Sequence, residues 1–118
     1  MIQIFGTTKS FDTKKAQMWF KERRIPFQFI NLKEKEMSEG EFDSVVSSIA
    51  KIEGSTMDAI DYMIDKSSKD YASIAYLDDS EKKDKLFYNQ SLIKLPIVRN
   101  GKNLATVGLQ TKVWEGWK

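Results

Sequence analysis

The sequence predicts an α/β fold: a mixed four-stranded sheet built from an N-terminal β-α-β unit and a C-terminal β-β-α unit, with a helical insertion between them. Three observations carry this. A β-favouring run at Ile2 to Phe5 gives way to a helical period and then to a second aromatic, β-branched run. From about 38 to 90 apolar residues recur at helical spacing. After Leu95 short strand-like runs flank an Asn-Gly pair.

Taken in order, Ile2 to Phe5 reads as a strand ended by Gly6, and Thr7 to Ser10 as a polar loop. From Phe11 to Arg24, Ala16, Trp19 and Phe20 fall on one helical face while lysines and glutamate fill the others; Ser10 or Asp12 is the N-cap candidate. Pro26 pushes Ile25 out of the helical region, and Phe27 to Leu32 forms the second strand. Ser38 and Glu41 have capping-box spacing, and Met37 with Phe42 has hydrophobic-staple spacing, so a second helix starts there and continues through Val45, Val46 and Ile49 to Gly54. Ser55 begins a third helix bearing Met57, Ile60 and Ile64; Tyr71, Ile74 and Ala75 mark a short fourth. The charged stretch from Ser80 leads into a fifth that carries Leu86 and Phe87, and its mixed-sign run from Asp78 to Lys85 is a solvated face. Ile97 to Arg99 and Leu104 to Val107 form a hairpin around a type I′ turn at Asn100-Gly101. Leu109, Val113, Trp114 and Trp117 close the chain as an amphipathic helix, and the tryptophans are read as core rather than as a stacking platform. The whole order is that of a thioredoxin-like (glutaredoxin-like) fold with a helical insertion, one domain over residues 1–118.

Composition removes most chemistry. The chain has no Cys and no His. Disulfides, thiolate nucleophiles, CxxC redox pairs, imidazole bases and Cys- or His-based metal centres are therefore excluded. Lys+Arg is 19 against Asp+Glu 17, with the signs interleaved along the chain, so no nucleic-acid stripe is expected. No basic-then-apolar leader opens the sequence and no run is long enough to cross a bilayer. The expectation is a cytoplasmic monomer without cofactor or metal.

The segment Ile4 to Phe20, with its strand, loop and Lys14-Lys15-Ala16-Gln17-Met18-Trp19-Phe20 helix, resembles the opening of the arsenate reductase-like and Spx-like proteins, the ArsC family. Ile25-Pro26-Phe27 matches the start of their second strand. Ile93-Lys94-Leu95-Pro96-Ile97-Val98 resembles their cis-proline segment, and Val107-Gly108-Leu109 with Val113-Trp114-Glu115-Gly116-Trp117 resembles their final strand and helix. The resemblance spans almost the whole chain, strongest at the two ends and weakest from Ile52 to Asn89. It implies a cis bond before Pro96. It also places Ser10 where the family has its nucleophilic cysteine, Thr13 where Spx-type switches have a second cysteine, and Leu95 where arsenate reductases have an oxyanion-binding arginine.

No catalytic residue is expected at these degenerate positions. Ser10 has a helix N-terminus behind it but no histidine base, which favours a cap over a nucleophile. Thr8, Lys9, Ser10 and Pro96 are the candidate binding positions, set against the reading of Thr7 to Thr13 as a solvated polar loop. The expected function is a family member without its nucleophile, acting as a non-catalytic binding or regulatory module through protein contacts. RNA polymerase is the partner that resemblance to Spx implies. An oxidoreductase of the arsenate reductase or glutaredoxin type, and a small-anion-binding domain, are the alternatives.

Overall fold

The computed structural model describes residues 1–117. Its elements are β1 (Ile2–Gly6), α1 (Phe11–Glu22), β2 (Phe27–Asn31), α2 (Glu39–Glu53), α3 (Thr56–Met63), α4 (Ala72–Ala75), α5 (Asp79–Tyr88), a 3₁₀ turn (Gln90–Leu92), β3 (Ile97–Asn100), β4 (Leu104–Val107) and α6 (Thr111–Glu115). The sheet order is β2-β1-β3-β4, with β1 parallel to β2 and the other pairs antiparallel. The predicted mixed four-stranded α/β sheet is thus present. Among the described residues no helix is long and apolar enough to cross a membrane.

Because strand side chains alternate, β1 feeds two cores. Ile2 and Ile4 join Val98 on one face, where Ala16, Trp19 and Phe20 of α1 and Trp114 of α6 cover them. Phe5 and Ile97 join Ala105 and Val107 on the other, beneath α2 and α3. The Trp19 and Trp114 rings meet edge to face at 5.5 Å, and Trp114 Nε1 donates to Thr106 Oγ1 at 2.8 Å, so the buried indole leaves no donor unmet.

Local chemistry sets the helix ends. Ser38 and Glu41 form the capping box, with Ser38 N donating to Glu41 Oε1 at 2.9 Å and Glu41 N to Ser38 Oγ at 3.2 Å. Gly54 closes α2 in the left-handed region, φ 112°. α1 ends two residues earlier than the sequence pattern suggested. Arg24 takes φ 57°, Ile25 N donates to Phe20 O, and Arg24 N donates to Lys21 O, a Schellman closure made without glycine.

Three other expectations are corrected. Asn100 pairs with Leu104, leaving a three-residue loop 101–103 in which only Gly101 has positive φ, 65°. A type I′ turn needs both central residues there. The loop instead is tied to α2, because Ser44 Oγ donates to Lys102 O at 2.8 Å. At the C-terminal end Trp114 is buried and Trp117 packs on the same core as expected, but α6 spans only Thr111–Glu115, and Leu109 and Val113 are exposed, at 36% and 42%. α5 starts at Asp79, ahead of Ser80, and Asp78 caps it, its carboxylate accepting from Glu81 N at 3.0 Å.

Candidate functional site

The loop that joins β1 to α1 is short and well tied. Ser10 N donates to Thr7 O at 3.3 Å, and Lys14 N donates to Ser10 O at 3.1 Å, the first turn of α1. Ser10 is extended, φ −79° and ψ 119°, and its Oγ accepts from Thr13 N at 3.1 Å. That is N-cap geometry, so Ser10 rather than Asp12 caps α1 and its hydroxyl oxygen is engaged with the backbone. Thr8 and Lys9 are exposed beside it.

Thr13 lies one turn into the helix and points inward, 1% exposed, with Oγ1 lacking any hydrogen-bond partner. It packs on Gly6, where an added Cβ would collide with the Thr13 side chain. Gly6 is required here by close approach rather than by its backbone angles.

The Leu95-Pro96 bond is cis. Pro96 is buried, and its carbonyl accepts from Gly108 N at 2.8 Å, which extends the β3–β4 ladder beyond the strands. Leu95 is half-buried and packs against the larger core. No arginine follows Arg24 before Arg99, and Arg99 sits further along β3 on the face that α2 covers, where it bonds Gln3 Oε1 at 3.1 Å and Ser44 Oγ at 3.0 Å. The position beside the cis bond therefore offers no positive charge to an anion.

A cavity of about 750 Å³ opens next to this loop, with Thr7 and Leu95 in its wall together with Leu32 to Glu34, Glu36 and the Asn89–Ser91 turn. Of the loop and cis-proline positions Thr7 and Leu95 line it; Thr8, Lys9, Ser10, Thr13 and Pro96 do not. Gln90 in that wall is 2% exposed and its amide clamps Met37, accepting from Met37 N at 2.8 Å and donating to Met37 O at 3.0 Å. That side chain locks the β2–α2 connector to the 3₁₀ turn and has little left for a ligand. The sequence held no local signal for this pairing, which joins residues 53 apart. A second cavity, about 720 Å³, is lined by Glu53, Asp58, Asp61 and Asp65, yet among the described residues no cluster of three or more potential ligands is arranged to hold a metal ion.

Chemically, this arrangement has no group for thiol chemistry. It has an engaged serine, a buried threonine, an apolar residue at the cis-proline and no imidazole or thiol anywhere in the chain.

No family model and no curated protein sequence matches the chain. Solved structures do. A protein from Bacteroides fragilis described as related to the ArsC family superposes with TM-score 0.76 at 17% identity, over 99% of this chain and 97% of that one. The arsenate reductase from Vibrio cholerae gives TM-score 0.74 at 16% identity over 90% and 87%. An arsenate reductase (ArsC) related protein from Brucella melitensis gives 0.68 at 14% over 98% and 92%. The chain has the fold of the ArsC-type arsenate reductases from end to end, and it has it without a cysteine.

Proposed function

We propose that the chain is a non-catalytic relative of the arsenate reductase/Spx group, a binding or regulatory module that acts through protein contacts. One observation carries the reading: the fold of the arsenate reductases in a chain with no Cys and no His, where Ser10, at the position that the resemblance gives the nucleophile, caps α1 with its Oγ. A hydroxyl cannot enter thiol–disulfide exchange, and without a base it is a poor nucleophile. Leu95 removes the oxyanion's guanidinium as well, which argues against the small-anion alternative. On this reading the chain is one cytoplasmic, monomeric domain without cofactor, and Thr8, Lys9, Ser10 and Pro96 mark the remnant of the ancestral site.

The test is recovery of a partner. Tagged full chain is captured from its native host at endogenous expression, and co-eluting proteins are compared by mass spectrometry with an untagged control. RNA polymerase is the first partner to look for, on the Spx resemblance. A defined stoichiometric partner supports the reading. Nothing above control, together with thermal stabilisation by phosphate or arsenate, would transfer the function to small-anion binding.

A further inference from the structure

Helix α1 buries Thr13, Ala16, Trp19 and Phe20 against the sheet. Opposite them, along the centre of its outer face, lie Phe11 and Met18, seven residues apart and therefore about 10 Å along the axis on one side. They are 78% and 54% exposed. Lys14 and Lys21 flank that line on one side, and Lys15 with Glu22 on the other, all exposed. The Lys14 ammonium sits 5.6 Å from the Phe11 ring centroid.

Charge is concentrated here although the two signs alternate over most of the sequence. Residues 9–24 hold six basic and two acidic side chains, a net of +4, while the whole chain is +2, so the remaining residues sum to −2. Arg23 is committed to Trp19 and Glu115. Among the described residues no salt bridge engages Lys9, Lys14, Lys15 or Lys21.

We infer that the outer face of α1 is a docking surface for an acidic amphipathic helix of a partner protein, an inference that rests on the protein-contact reading above. Exposed Phe and Met at the centre of a patch are what a protein interface desolvates, and a lysine rim complements acidic side chains and speeds encounter. Two apolar side chains are too few to hold the chain on a bilayer, and a nucleic-acid surface would extend the basic stripe rather than centre it on apolar groups. The matching segment presents two apolar residues seven apart, with Asp or Glu at the flanking positions.

The experiment titrates the isotopically labelled full chain with a designed helical peptide bearing Leu at two positions seven apart and Glu on both flanks. The expected result is amide shift changes confined to the neighbourhood of Phe11, Lys14, Lys15, Met18 and Lys21. Affinity is expected to fall about 10-fold when Gln replaces the peptide's Glu, and to fall again between about 50 and 500 mM salt. A Phe11→Ser/Met18→Gln variant, checked by circular dichroism to be folded, loses about 10-fold or more. Shift changes elsewhere, no binding, or undiminished binding by the variant overturns the surface; preferential binding to phosphatidylserine vesicles or to a DNA oligonucleotide overturns the partner class. Repeating the host capture with the variant separates the two readings. A partner retained by the variant refutes this surface and leaves the protein-contact function standing, whereas no partner for the unaltered chain refutes that function itself.

Discussion

Thr13 holds a hydroxyl in a place that gives it nothing to bond: the residue is 1% exposed and Oγ1 is unpartnered. A buried polar atom in that state costs free energy that an apolar isostere avoids. Thr13→Val is therefore expected to raise stability by about 1 kcal/mol, read as a higher denaturation midpoint. Gly6→Ala is expected to lose about 1–3 kcal/mol through collision with Thr13. Combining it with Thr13→Ala should recover part of that loss, a coupling that a double-mutant cycle measures. At the neighbouring position Ser10→Cys would put a thiol at the α1 N-terminus beside Lys9 and Lys14. Its pKa should fall below the free value of about 8.5, so alkylation at about pH 6 to 7 should outpace that of free cysteine. An unshifted titration would contradict the cap geometry. Leu95→Arg added to that variant should bring stabilisation by phosphate or arsenate that the single variant lacks.

The helices show which punctuation marks a sequence displays and which it hides. Ser38, Glu41 and Gly54 announced α2 because their roles are local, resting on side-chain reach and glycine's access to positive φ. Arg24 gave no such sign, since arginine is not a left-handed residue by preference; it is held at φ 57° by closure bonds and by Ile25 packing into the α1 core. Arg24→Gly should accordingly stabilise the chain by about 0.5–1 kcal/mol by relieving that strain, whereas Ser38→Ala should cost about 1 kcal/mol by uncapping α2. Both are read from chemical denaturation with unchanged slope. The Asn100-Gly101 turn failed for the complementary reason. Its local preference for a two-residue turn yields to a tertiary bond, Ser44 to Lys102 O, from residues 58 apart. The same distance in sequence concealed the Gln90–Met37 clamp and the cavity at Thr7 and Leu95. Ser10 was legible as a cap from its local pattern, but as site positions Ser10, Thr13 and Leu95 were legible only through resemblance, because a cap, a buried threonine and a leucine carry no catalytic signature.

Across the whole molecule the fold of the ArsC-type arsenate reductases is present in a chain with no cysteine. Trp114 is fully buried, joins α6 to β4 through Thr106 and meets Trp19 of α1 edge to face, so it ties both ends of the chain together. Trp114→Ala is expected to cost about 3–5 kcal/mol. That is a large share of a typical total of about 5–15 kcal/mol, and loss of cooperative unfolding should follow. This fold, in a chain with no Cys and no His and with Leu95 before the cis-proline, is the centre of the account. The most direct measurement is arsenate reduction by the purified chain, assayed with glutathione and glutaredoxin and separately with thioredoxin as donor, after contaminating reductases have been removed. The account predicts a rate indistinguishable from that without the protein; turnover that rises in proportion to the amount of chain added would contradict it.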